Sequence, residues 1–276
     1  MALRINTNLA SITAQKHLAS TTNRLVGTFE KLSSGLRVVR ASDDPAGLGI
    51  SERMRARIRS FGQASRNVAD GISLVQTGEG AMDEISNILT RMRELAVQSA
   101  NGTYTGEDRN TLDEEVQQLV SEIDRISQAT SYNGLNLLDG SISGVTLQIG
   151  VDTVAGVDTM DITLVSARTS DLTIDAIDIG SGGDTTSAIG NIDGAINAIV
   201  TLRGQFGAYQ NRLNSTVNNI SVAMENLQAA ESMIRDVDVA FETANLTKYT
   251  IMQQAGISVL AQANVQPQAA LNLLGG

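Results

Sequence analysis

The chain has 276 residues, 42% apolar and only 3% aromatic, with no tryptophan, no cysteine, one histidine and a net charge of −10. Without cysteine there are neither disulfides nor thiolate metal sites, and His17 alone gives little basis for histidine metal centres or histidine acid–base catalysis. The acidic balance argues against nonspecific nucleic-acid binding. No apolar run approaches the ~20 residues needed to cross a bilayer, so no membrane partner is expected.

That length allows one large domain or two modest ones. An interior built from Leu, Ile, Val, Met and Ala rather than aromatics suits helical bundles and coiled coils. The charge is uneven. Residues 1–42 carry six Lys or Arg against Glu30 alone, and residues 236–276 carry Asp236, Asp238 and Glu242 against Lys248. A basic start and a mildly acidic end suggest that the two ends meet.

The opening MALRINTNLASITAQKHLAS has no apolar core of a signal peptide and reads as mature protein. From Leu18, steps of four and three link Thr22, Leu25, Phe29, Leu32, Leu36 and Val39, which predicts a helix. Asp43, Asp44 and Pro45 follow. Two adjacent carboxylates invite a metal-site reading, but their side chains diverge and no further hard ligand is placed by local spacing. An N-cap at Asp44 with Pro45 in the first turn is the reading adopted. Arg53, Arg55, Arg57 and Arg59 alternate by two, which scatters them round a helix. They predict a solvated or salt-bridging face rather than a phosphate stripe.

Further seams join Ile58, Phe61, Ser65, Val68, Ile72 and Val75, then Ile85, Ile88, Met92, Leu95 and Ser99, then Leu112, Val116, Leu119, Ile123 and Ile126. Asn133-Gly134 and Asp139-Gly140 mark turns. VTLQIG (Val145–Gly150) and MDITLV (Met160–Val165) alternate with period two and predict a β-hairpin. GSGGD at Gly180–Asp184 reads as a flexible break. The longest seam then runs from Ile189 through Ile192, Ile196, Ile199, Phe206, Leu213, Val217 and Ile220 to Leu227, implying a helix about 60 Å long. A stripe kept at this spacing implies left-handed supercoiling against a partner. The seam restarts with shifted phase at Val237, Phe241, Ala244, Ile251 and Ala255.

The expected fold is therefore mainly α: an elongated rod of long helices with coiled-coil-like seams, its N- and C-terminal helices paired at one end, and a small central β-hairpin. No phosphate loop, GxSxG or HExxH motif occurs. The chain is not expected to be an enzyme or to carry a metal or cofactor. His17 reads as a polar helix-face residue. Met224, Met233 and Met252 read as packing rather than a cofactor box.

The segments LRINTNLASITAQKHL, LSSGLRVVRASDDPAGLGISERM, ASRNVADGISLVQTGEGAM, RMRELAVQSANGTYTGEDR and EIDRISQATSYNGLNLLDG resemble the N-terminal half of the bacterial flagellins. RLNSTVNNISVAMENLQAAESMIRDVDVAFETANLTKYTIMQQAGISVLAQAN resembles their C-terminal half. The likeness covers roughly residues 2–140 and 190–274.

The resemblance implies a structural subunit that polymerises into the bacterial flagellar filament for motility. The alternative is a hook–filament junction protein or another secreted coiled-coil structural protein, expected to match the terminal motifs less closely. It implies export through the flagellum's own secretion apparatus, so that lacking a signal peptide fits an extracellular location. Residues 1–42 and 236–276 would form the inner coiled-coil layer, and 43–235 a rod-like helical domain with the hairpin near 141–176. The expected partners are further copies of the chain, an export chaperone held near Ile257, Leu260, Leu271 and Leu274, and hook-associated and cap proteins. By resemblance a host Toll-like innate immune receptor contacts Arg91, Leu95 and Glu115.

The self-assembly seams are expected at Ile5, Leu9, Ile12, Leu25, Leu32, Leu36, Val237, Phe241, Ile251 and Val259. Residues 1–42, rich in Ser, Thr and Asn, are expected to order only on assembly. The chain departs from the family in three places. There is no room for large outer domains between Ile149 and Ile189, ANVQPQ differs in order, and Gly78 stands where alanine is usual, which would loosen that helix end.

Overall fold

The computed structural model describes residues 7–274, with side chains described as far as Val265. Five helices and four short strands follow in the order α1 (Leu9–Ser34), α2 (Pro45–Ser99), α3 (Gly106–Ala129), β1 (Ser131–Tyr132), β2 (Leu135–Asn136), β3 (Gly144–Gln148), β4 (Thr159–Thr163), α4 (Thr185–Arg235) and α5 (Val239–Leu274). The described chain divides into two compact units, residues 1–56 with 226–276, and 57–225.

In the first unit α1 and α5 form an antiparallel pair. Asn8 Nδ2 donates to Ala263 O at 2.7 Å, and Ser11 Oγ donates to Asn264 Oδ1 at 2.8 Å. At the other end Arg37 N donates to Arg235 O at 2.6 Å, and Val237 N donates to Gly35 O at 3.0 Å. Helix α1 stops at Ser34, short of the expected Val39, because Gly35 at φ 72 supplies the left-handed turn that ends it. Leu36 and Val39 therefore lie beyond the helix.

The second unit holds the large core. Met82, Ile85, Leu89 and Met92 of α2, Val116 and Ile123 of α3, and Ile192, Ile199, Phe206 and Leu213 of α4 are essentially inaccessible. Helix α2, not α4, is the longest, at 55 residues. Gly71 and Gly78 keep it unbroken where separate seams were expected. A Cβ on Gly78 would sit 2.5 Å from Phe206 Cε2, and one on Gly71 would sit 2.3 Å from Leu147 Cδ1. The glycines are notches that seat an aromatic ring from α4 and a leucine from β3. Gly78 thus loosens no helix end; α2 continues through it to Ser99.

Thr105 caps α3 with a full capping box to Asp108. Asn133 at φ 49 and Gly134 at φ 80 make the two-residue turn between β1 and β2, with Tyr132 opposite Leu135. Strands β3 and β4 pair antiparallel, Thr146 opposite Asp161, and Met160 and Ile162 of β4 turn into the core. Residues 164–184 have no regular backbone yet contribute buried Leu164, Ala167, Leu172, Ile174, Ile177 and Ile179. Polar groups along α2 and α3 hold this strap. Gln117 Nε2 donates to Ile177 O at 2.7 Å, Ser99 Oγ donates to Ile179 O at 2.5 Å, and Asp113 Oδ1 accepts from Ile179 N at 2.9 Å. GSGGD is thus the end of an anchored strap, with Ser181 N donating to Asn110 Oδ1 at 2.9 Å.

Candidate functional site

The distinctive surface is the α1–α5 pair. The residues that turn from α1 toward α5 are Ser11, Ala14, Leu18, Thr21, Leu25, Thr28 and Leu32, buried or half-buried at alternating steps of three and four. Their counterparts on α5 are Glu242, Leu246, Tyr249, Gln253, Gly256, Leu260 and Ala263. A Cβ on Gly256 would lie 3.3 Å from Leu18 Cδ1, so its absence lets the helices approach closely. Both faces keep a coiled-coil spacing but are filled largely with small and polar residues.

The large apolar residues point the other way. Leu9 is 73% exposed, Phe29 63%, Phe241 66%, Ile251 60% and Val259 59%, with Ile12, Val26 and Ile257 also more than half exposed. So many exposed apolar side chains on two paired helices mark an interaction surface. The expected seam residues therefore separate into two groups. Leu9, Ile12, Phe241, Ile251 and Val259 are exposed; Leu25, Leu32, Leu36 and Val237 are half-buried within the chain. Ile5 lies outside the described residues, and Leu271 and Leu274 lie where side chains are not described. Sequence reasoning missed the inward Thr21, Thr28, Glu242 and Gly256. Only their own heptad step could have found them, since none is a large apolar residue.

Asp44 Oδ1 accepts from Gly47 N at 2.8 Å, and α2 begins at Pro45. Asp43 turns back instead: its Oδ2 accepts from Arg40 N at 2.9 Å and Val39 N at 3.1 Å. The Arg40 N–H is the chief cause holding the Asp43 carboxyl below its ordinary value, with the Val39 N–H and the charge of Lys31 assisting. Of the four arginines, Arg55 meets Glu52 at 3.2 Å and Arg57 meets Asp152 at 2.9 Å, while Arg53 and Arg59 are exposed.

Arg91 donates through Nε and Nη2 to Glu115 Oε1 at 3.0 and 2.9 Å, joining α2 to α3 on the exposed face. That hydrogen bond, with further help from Glu94, pushes the guanidinium above its ordinary value. Leu95 does not share this surface: it is 1% exposed, packed in the core. The expected receptor contact at Leu95 is corrected accordingly, because its place on the inward face of α2 removes it from any surface. Met233 and Met252 are likewise not packing residues in this chain, being 78% and 45% exposed, whereas Met224 is half-buried against the core.

Residues 5–143 match the family described as bacterial flagellin N-terminal helical region, and residues 189–274 match the bacterial flagellin C-terminal helical region. A flagellin of Halalkalibacterium halodurans is 49% identical over 98% of this chain and 99% of its own length. A flagellar filament 33 kDa core protein of Treponema phagedenis is 44% identical over 98% of this chain and 99% of its own. Among solved structures, Bacillus cereus flagellin superposes with a TM-score of 0.51 at 36% identity, covering 56% of this chain and 88% of that one. A putative flagellar hook-associated protein from Vibrio parahaemolyticus shares the fold at TM-score 0.60 but only 17% identity, covering 70% of this chain and 99% of that one. The chain belongs to the bacterial flagellin family and is a structural subunit of the flagellar filament.

Proposed function

We propose that the chain polymerises through the outward face of the α1–α5 pair, with residues 1–42 and 236–276 as the inner layer of the filament and 43–235 outside them. The observation that carries this is the inversion of that pair, with Thr21, Thr28, Glu242 and Gln253 turned in and Leu9, Phe29, Phe241, Ile251 and Val259 turned out. Burying each such Leu, Ile, Val or Phe between copies contributes ~1.5–3 kcal/mol. The test is electron microscopy of purified Val259→Asp chain, with circular dichroism of the monomer. Loss of filaments with helix content retained is the expected result, and normal filaments contradict the reading.

The same resemblance supports export and assembly outside the cell, with capping and hook-associated proteins at the filament ends. Before export, a chaperone would cover the apolar residues of α5, of which Ile257 is 53% exposed, as an amphipathic helix in a groove. Removal of residues 236–276 without loss of chaperone binding contradicts this. A host Toll-like receptor would read the Arg91–Glu115 face, and unchanged signalling by the monomeric double alanine variant contradicts that.

A further inference from the structure

One buried charge in the first unit has no role so far. Glu242, in the first turn of α5, is only 8% exposed. Its one hydrogen bond among the described residues is a long one, accepted from Asn245 Nδ2 at 3.4 Å. It lines a cavity of about 310 Å³ together with Lys31, Arg37, Asp44, Asp238 and Phe241.

The other charged groups at this cavity are already engaged. Asp44 caps α2, and Asp238 caps α5, with Oδ1 accepting from Ala240 N at 2.9 Å. Arg37 Nη2 donates to Ile234 O at 2.6 Å, and Lys31 acts on Asp43. None of them forms an ion pair with Glu242 among the described residues. A carboxylate this buried without a counter-charge is costly, and the cost falls when a cation reaches it. The cavity is open to one side beside Phe241, itself part of the outward apolar face, so an approaching copy of the chain passes its mouth. An aromatic wall with a carboxylate within suits an arginine or lysine, whose apolar stem lines the wall while its charged head meets the acid.

We infer that this cavity receives a lysine or arginine side chain of a second copy of the chain, paired to the Glu242 carboxylate. The inference rests on the assembly reading above and adds to it a charged lock beside the apolar contact. The chain supplies candidate cations: Lys16, Arg24, Arg53, Arg59 and Arg212 are exposed and enter no ion pair among the described residues.

The experiment measures the critical concentration for polymerisation of the full-length chain by sedimentation, with circular dichroism of each monomer. Glu242→Gln keeps the shape and removes the charge. It is expected to raise the critical concentration on the order of tenfold, an effect that weakens with added salt. One of the five cations changed to Gln should give the same defect, with no further loss when combined with Glu242→Gln. The inference is overturned if Glu242→Gln polymerises at the wild-type concentration, or if its monomer loses helix content. It is equally overturned if its defect couples to none of the five, or only to Lys31→Gln, which would return the carboxylate to its own chain. Wild-type chain that never polymerises contradicts the assembly reading itself, whereas normal wild type beside normal Glu242→Gln contradicts the cavity alone.

Discussion

In the unit of residues 57–225 the large apolar side chains point inward: Phe206, Met82, Ile85, Leu89 and Met92 have at most 2% of their surface exposed. In the α1–α5 pair the inward positions belong to Thr21, Thr28, Glu242, Gln253 and Gly256, while Phe29, Phe241 and Ile251 face outward. Both regions obey the same alternation of three and four, so the difference lies in what fills the positions. A helix pair packed on threonine, glycine and glutamate gains little apolar burial from its own chain, and tertiary burial is what normally stabilises helices in water. The first region completes itself; the second is completed by its neighbours.

Substitutions should separate the two. The largest stability loss belongs in the self-contained unit, where Leu89→Ala should destabilise by ~2–5 kcal/mol, read as a lowered thermal midpoint of the monomer. Leu25→Ala, half-buried in the terminal pair, should barely move that midpoint; equal losses would erase the distinction. Gly78→Ala comes next, because its methyl group meets the Phe206 ring, and overpacking costs ~1–3 kcal/mol. A stabilised Gly78→Ala monomer would show instead that the ring yields. Smallest is Asp44→Ala, which removes the cap of α2 and should cost ~1 kcal/mol in denaturant unfolding.

Acidity should sharpen the same contrast. The capping carboxylates Asp108 and Asp184 are held below their ordinary value, first by the Thr105 and Ser187 hydroxyls. Their contribution is therefore complete above the ordinary carboxylate pKa of about 4 and is lost as pH falls through their lower folded values. Both cap helices of the 57–225 unit. An acid titration followed by circular dichroism should find loss of stability in that unit only below about pH 4. Loss beginning near neutrality would contradict this.

These comparisons also explain what could be read from the sequence. The α4 stripe was legible because Ile192, Ile199, Phe206, Leu213 and Ile220 keep a seven-residue step with large apolar residues, and all five are buried. The α5 stripe at Val237, Phe241 and Ile251 was legible too, but as a face that its own chain does not fully cover. Periodicity reports that a stripe exists and is silent on what covers it. On α1 the expected Thr22 and Phe29 gave way to Thr21 and Thr28, because a close helix pair admits small residues and turns the ring outward. The strap at 164–184 escaped notice for another reason. Its alternation at Leu172, Ile174, Ile177 and Ile179 resembles a strand, yet side-chain partners on α2 and α3 take its backbone hydrogen bonds.

Limited trypsin digestion of monomer and of filament, with the fragments weighed, tests the central claim most directly. If the terminal pair is completed only by neighbouring copies, cleavage in the monomer should occur at Lys16, Arg24, Lys31 and Lys248 and stop at a fragment bounded by Arg40 and Arg235. The same sites should resist in the filament. Terminal sites as protected in the monomer as those of the 57–225 unit would contradict the account, and would make the α1–α5 pair a stable hairpin in its own right.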